Sequence, residues 1–156
     1  MRQIAALAVL AIGCDSAATP ASDASAVDGS DGATYAAFAF IGGLDHVRIT
    51  KNVGGTCFSV QLLSPGSNSG GLALPTGWAF ESAEAMQPGL ACDPRYLGPI
   101  TNSFMATSQS GTITWQGSGV PQAVQSVQVT LVFASNPPWC PPSELVSASS
   151  VAVQAR

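Results

Sequence analysis

The feature that most constrains this chain is an apolar alternation of period two that recurs from residue 33 onward. Val127, Val129, Leu131 and Phe133 alternate with Gln128, Thr130 and Val132. Phe58, Val60 and Leu62 alternate with Ser59 and Gln61, and Val47 and Ile49 with His46, Arg48 and Thr50. Ile113 and Trp115 sit between Thr112, Thr114 and Gln116. Successive side chains of a strand point to opposite faces, so each run lays down one apolar face. Residues 35–41, 103–108 and 145–154 read as further strands, and Trp78 to Phe80 as the start of another. Turn chemistry separates them at Asn52 to Gly55, Pro65 to Gly71, Gln109 to Gly111, Gly117 to Pro121 and Asn136 to Pro142. The chain is therefore predicted to be all-β, a single antiparallel β-sandwich with a barrel as the alternative, of roughly seven to nine short strands. Only Glu81 to Met86 is ambiguous, rich in helix formers and readable as one helical turn or as the end of a bent strand.

Composition narrows the function classes. Charged residues are 9% of the chain and apolar ones 46%, a balance that favours a packed core over charge-driven disorder. The net charge is −4, and the basic residues Arg2, Arg48, Lys51, Arg95 and Arg156 are scattered. Nucleic acid wants clustered cations, so no nucleic-acid partner is expected.

The amino terminus has a different character. Met1, Arg2 and Gln3 precede an unbroken apolar run from Ile4 to Ile12 that stops at Gly13-Cys14. A membrane-spanning helix needs about 17 to 25 apolar residues, so this run fits the apolar core of a signal peptide. Ala11-Ile12-Gly13-Cys14 resembles the lipobox of bacterial lipoproteins. The resemblance implies a signal peptide at 1–13, cleavage between Gly13 and Cys14, and attachment of palmitate-type acyl chains to Cys14. It also implies an exported protein held in the cell envelope, at the outer membrane or the periplasmic face of the inner membrane. Two or three acyl chains anchor stably where one gives marginal binding. Residues 14–32 then read as the lipidated cysteine and a flexible acidic tether, since Val27 is their only large apolar side chain. Asp28 to Gly32 lacks the full ligand pattern of a calcium loop. Residues 33–156 form one domain without internal repeats.

With Cys14 lipidated, Cys57, Cys92 and Cys140 remain, and export favours one disulfide with one thiol left over. Taking Cys57 to Ser64 as running up, the return through Leu72 to Met86 brings Cys92 to the end where Cys57 lies. Counting on, 103–108 up, 111–116 down and 124–133 up place Cys140 at the opposite end. The expected pair is Cys57–Cys92, leaving Cys140 buried or shielded by prolines. Cys92–Cys140 is the alternative if a strand is miscounted.

No catalytic constellation stands out. His46 is the only histidine, set in a strand beside Asp45, and a triad or zinc site would need partners the sequence does not supply. Glu81 and Glu84, three residues apart, superficially suit a glycosidase carboxylate pair but read as a solvated edge. The chain is expected to be no enzyme and to need no cofactor. Binding has more to build on. Trp78, Tyr96 and Trp139 are candidate ligand-binding residues, able to form an aromatic platform for sugars or a peptide. Trp139 lies in the stiff Asn136-Pro137-Pro138-Trp139-Cys140-Pro141-Pro142 segment, while Trp115 belongs to the core by its alternation with Ile113. The expected function is a non-catalytic accessory or structural envelope protein, with a binding module for polysaccharide or another surface ligand as the alternative.

Overall fold

The alternation is realised as strands. The computed structural model describes residues 26–28, 32–67, 70–88, 92–95, 102–134 and 136–155. These residues hold ten strands and no helix: β1 (Ala26–Asp28), β2 (Ala33–Phe40), β3 (Asp45–Val53), β4 (Thr56–Ser64), β5 (Leu72–Ala73), β6 (Ala79–Met86), β7 (Ser103–Met105), β8 (Ser108–Thr114), β9 (Ala123–Val132) and β10 (Ser143–Ala155). The ambiguous Glu81 to Met86 segment is strand. The apolar sets face one core, where Val47, Ile49, Val60, Leu62, Val127, Val129 and Leu131 are fully buried.

One mixed sheet curls around that core in the order β5-β8-β9-β10-β2-β3-β4-β6-β7, with β1 off this path and paired with the start of β2. The all-β expectation holds, with one correction to the antiparallel part of it. β10 runs parallel to β2, and β5 parallel to β8. The curl comes from two segments that change partner along their length. Ser143 to Ala152 pairs with β9, and then Val153 to Ala155 pairs with β2. Likewise β7 pairs with β6, but two residues later the chain has moved to β9. The Ala106 amide donates to the Ala83 carbonyl at 2.8 Å, and the Thr107 amide to the Val132 carbonyl at 2.8 Å. Strands that switch partners in this way make the corners at which a sheet folds over a core.

The second switch overturns part of the expected layout. Gln109-Ser110-Gly111 is no turn. It lies inside β8, which continues in the direction of β7 and pairs in register with β9. Gly111 is needed there for another reason: its φ is +135°, and a Cβ would press into the Gln128 carbonyl. A strand glycine of this kind marks a close backbone approach. Because β8 does not reverse, β9 runs opposite to β4 and ends near Cys57. Cys140 therefore lies at the same end as the disulfide, not the opposite one. Phe133 packs on Phe58 with ring centroids 6.0 Å apart. Lys51, which pairs with Phe58, reaches Glu144 Oε1 at 2.8 Å and the Leu145 carbonyl at 2.9 Å.

The disulfide is Cys57–Cys92, with α-carbons 5.3 Å apart and a sequence separation of 35 between partners. By the chain-entropy account a loop of that length contributes about 3 to 4 kcal/mol. Cys140 is free and buried. At the other boundary, the paired part of the chain begins earlier than Ala33. Ala26 to Asp28, inside the stretch read as tether, pair with Tyr35 to Ala33 of β2.

Two substitutions separate the glycine effect from ordinary strand propensity. Gly111→Ala should lower stability by about 2 kcal/mol, toward the upper part of the usual range. Ser150 has φ 57° just before β10 changes partner, so Ser150→Gly should leave stability unchanged or raise it by about 1 kcal/mol. Urea unfolding of both variants checks this, and a tolerated Gly111→Ala would contradict the close approach.

Candidate functional site

Side chains with titratable groups gather on the face of β3, β4 and β6 opposite the apolar core, where Arg48, Thr50 and Ser59 are themselves buried. Arg48 and Gln61 are cross-strand partners, as are Thr50 and Ser59, and Ser59 and Glu84. A β-bulge adds the decisive member. Gln61 pairs with Ser82 but Leu62 pairs with Phe80, which leaves Glu81 as the extra residue. Bulges re-aim a side chain, and here Glu81 meets two neighbours. Its Oε2 lies 2.9 Å from His46 Nδ1 and accepts from Gln61 Nε2 at 2.6 Å. Gln61 Oε1 in turn accepts from Arg48 Nε at 2.9 Å and from Arg48 Nη2. The Ser59 hydroxyl donates to Glu84 Oε1 at 3.4 Å.

The structure thus joins His46 and Glu81, which are 35 residues apart in the chain. A histidine braced by a carboxylate is two parts of an acid–base relay, and the third part is a nucleophile on the far ring nitrogen. Among the described residues no hydroxyl or thiol is bonded to His46. No group of three metal-ligating side chains occurs among them either. Arg48 is 8% exposed; burial draws its pKa down, against the opposing pull of Glu84 and Glu81. The cluster is a polar network in which Glu81 stays exposed and Glu84 half-buried, as expected of a solvated edge, while both are also hydrogen-bonded to neighbouring strands.

The aromatic platform is not assembled. Trp78, expected among the ligand-binding residues, is 3% exposed and lies in the core. Its indole donates to the Ser118 carbonyl at 3.0 Å, and its ring meets Trp115 edge to face at 5.0 Å. The backbone bond from Trp78 to the Pro75 carbonyl turns the chain inward just before β6. Trp139 is half-buried, edge to face with Phe104 at 6.5 Å. Its loop is braced by a bond from the Cys140 amide to the Pro137 carbonyl and by the Asn136 side chain on the Cys140 carbonyl. Tyr96 and Cys14 lie outside the described residues.

A different surface was overlooked in reading the sequence for its apolar half alone. The outer face of β8, β9 and β10 carries hydroxyls and amides in cross-strand rows. Ser110 faces Thr130, Thr112 faces Gln128 and then Ser147, and Thr114 faces Ser126 and then Ser149. Thr114 and Ser126 share a hydrogen bond at 2.9 Å. The signal was present: no Asp, Glu, Lys, Arg or His stands between Arg95 and Glu144. Beside this face lie two clefts. One, of about 200 Å³, is bounded by Leu74, Pro75, Thr112, Thr114 and Trp115. The other, of about 410 Å³, is bounded by Gln116, Pro121, Gln122 and Gln125. Known proteins offer no guide to either, since no family model, curated protein or solved structure matches the chain.

Two outcomes test this description. Replacing Arg48 with Met should cost about 1 to 3 kcal/mol, because it strands the Gln61 carbonyl and removes the cation facing two carboxylates. Denaturant unfolding measures that cost, and a neutral change would mean the network does not brace the sheet. Cys140 titrates above the usual thiol range, chiefly through burial and secondarily through Glu144. Folding therefore favours its protonated form; that stability is complete below the unfolded thiol pKa and is lost as pH rises through the folded one. Iodoacetamide at neutral pH should leave Cys140 unlabelled in the native protein and label it after unfolding, as mapped by peptide mass.

Proposed function

We propose that this chain is an exported, lipid-anchored envelope protein whose β domain is a non-catalytic accessory or structural unit. The observation that carries this reading is the Cys57–Cys92 bridge, taken with the lipobox-like Ala11-Ile12-Gly13-Cys14. Structural disulfides belong to oxidising compartments, which an exported chain reaches and a cytosolic one ordinarily does not. Among the described residues no helix is long and apolar enough to cross a membrane, and acylation at Cys14 supplies attachment without one. The non-catalytic part rests on how His46, Glu81 and Glu84 are held. Each is engaged by a neighbouring strand, in an arrangement that ties β3, β4 and β6 together.

The experiment is a membrane fractionation. The wild-type chain should incorporate a labelled fatty acid and sediment with membranes, and Cys14→Ser should do neither and appear in the soluble exported fraction. An unlabelled wild-type chain would end the anchored reading. A second reading, a binding module for a polysaccharide, is favoured by the charge-free face and clefts of β8 and β9.

A further inference from the structure

We infer that the cleft beside β8 is a binding site for a neutral glycan, with one sugar ring in the smaller cleft and the chain continuing toward Gln122 and Gln125. The inference deepens the binding reading above and is independent of the lipid anchor.

Its first support is electrostatic. The protein has a net charge of −4, yet neither cleft is lined by an ionisable side chain. His46, Arg48, Glu81 and Glu84 are drawn together on β3 and β6, while the stretch from Arg95 to Glu144 contributes no charge between its ends. An acidic glycan, a nucleotide or a phosphorylated ligand would meet no cation in the clefts. A neutral polyol would meet hydroxyls and amides, which supply both donors and acceptors.

The second support is the edge of β8. β5 pairs only with Gly111 and Thr112, so Ile113 to Trp115 have no strand partner on that side among the described residues. Leu74 and Pro75 turn away there, and the gap they leave is the smaller cleft. Its wall combines apolar surface from Leu74, Pro75 and Trp115 with the hydroxyls of Thr112 and Thr114. Sugar rings present the same division, with C–H groups on their faces and hydroxyls around the rim. At about 200 Å³ the cleft falls below the roughly 300 to 1,000 Å³ of drug-sized sites. It suits one ring of a longer chain. Three residues of open edge are too few to fix an added peptide strand.

The third support is a donor without an acceptor. Trp115 is 7% exposed, and its indole Nε1 is buried with no hydrogen-bond partner. Leaving such a group unmatched costs about 1 to 3 kcal/mol. Trp78, beside it, has its own indole satisfied by Ser118. Trp115 also lines the smaller cleft, and its Nε1 is itself shut off from solvent, so an occupant oxygen meets that donor once the indole edge turns toward the cleft.

The test uses the full chain carrying Cys14→Ser, with the Cys57–Cys92 bridge formed. Affinity electrophoresis is run against neutral polysaccharides (dextran, laminarin, galactomannan, xyloglucan) and acidic ones (alginate, polygalacturonate). At least one neutral polymer should retard the protein, with little dependence on salt. Thr112→Val and Gln122→Ala, both at exposed positions, should each weaken retardation about two- to tenfold. In a ¹⁵N-labelled sample the Trp115 indole resonance should shift on adding the retarding glycan, with that of Trp139 unmoved. Retardation that ignores both substitutions, or shifts Trp139 instead, overturns the site while the binding reading stands. Retardation by acidic polymers only overturns the neutral class. Shifts produced by an extended Thr/Val-rich peptide but by no glycan assign the edge to a polypeptide. No retardation by any neutral polymer, with no shift at Trp115, overturns the inference and removes the support for the binding reading.

Discussion

Everything in this domain depends on two chain segments that change partner. A flat sheet with the observed strand lengths would leave one face of every strand wet, and the alternation would have no common interior. β10 leaves β9 for β2, and the segment from Ser103 to Thr114 leaves β6 for β9. Those switches bring Val127, Val129 and Leu131 against Val47, Ile49 and Val60 in one core. Local conformations follow from the same constraint. Ser150 takes a positive φ just before β10 turns to β2, and Gly111 has no side chain because β9 approaches too closely.

How much was legible in the sequence follows from this dependence. Alternation is a property of the strand alone, so Phe58 to Leu62, Val47 to Ile49 and Val127 to Phe133 were readable residue by residue. Direction is a property of what lies between strands, and there a glycine is ambiguous. Gly111 has the same letter whether it turns the chain or admits a neighbouring backbone. Reading it as a turn reversed β8 and sent Cys140 to the wrong end. The Cys57–Cys92 pairing survived because it depends only on β4 and β6, which lie before the misread segment. The two parallel pairings were illegible for a related reason, since β5 is two residues long and the β10–β2 contact spans three.

The polar cluster shows the same limit at smaller scale. His46, Glu81 and Glu84 were visible as candidates, but their relation to one another was not. It rests on a single bulge that turns Glu81 to the face of His46 and Gln61. Without that extra residue the alternation that buries Ala83 and Ala85 would send Glu81 inward, where an unpaired carboxylate is strongly disfavoured. The bulge therefore solves a burial problem and builds the network in one step. Lys51 marks what the alternative looks like. It does face the interior, and it is held there by Glu144, the Leu145 carbonyl and the Tyr35 ring, an ion pair across the end of the domain. Removing either partner of such a pair leaves an uncompensated buried charge, so losing one costs more than the pair itself contributes.

His46, Arg48, Lys51, Glu81, Glu84 and Glu144 thus stand where strands are tied together, and the β8–β9 side is left neutral. A neutral surface of Ser, Thr and Gln carries a physical cost, because charge is what ordinarily keeps sheet edges from pairing with one another. The domain limits that hazard by other means. The outward rows place hydroxyls rather than a continuous apolar stripe between strands, and β5 covers the middle of the β8 edge. What stays open is the short edge from Ile113 to Trp115, next to a buried indole without a partner. Three residues is short enough for that edge to resist pairing without a charge, so neutrality there costs the fold little.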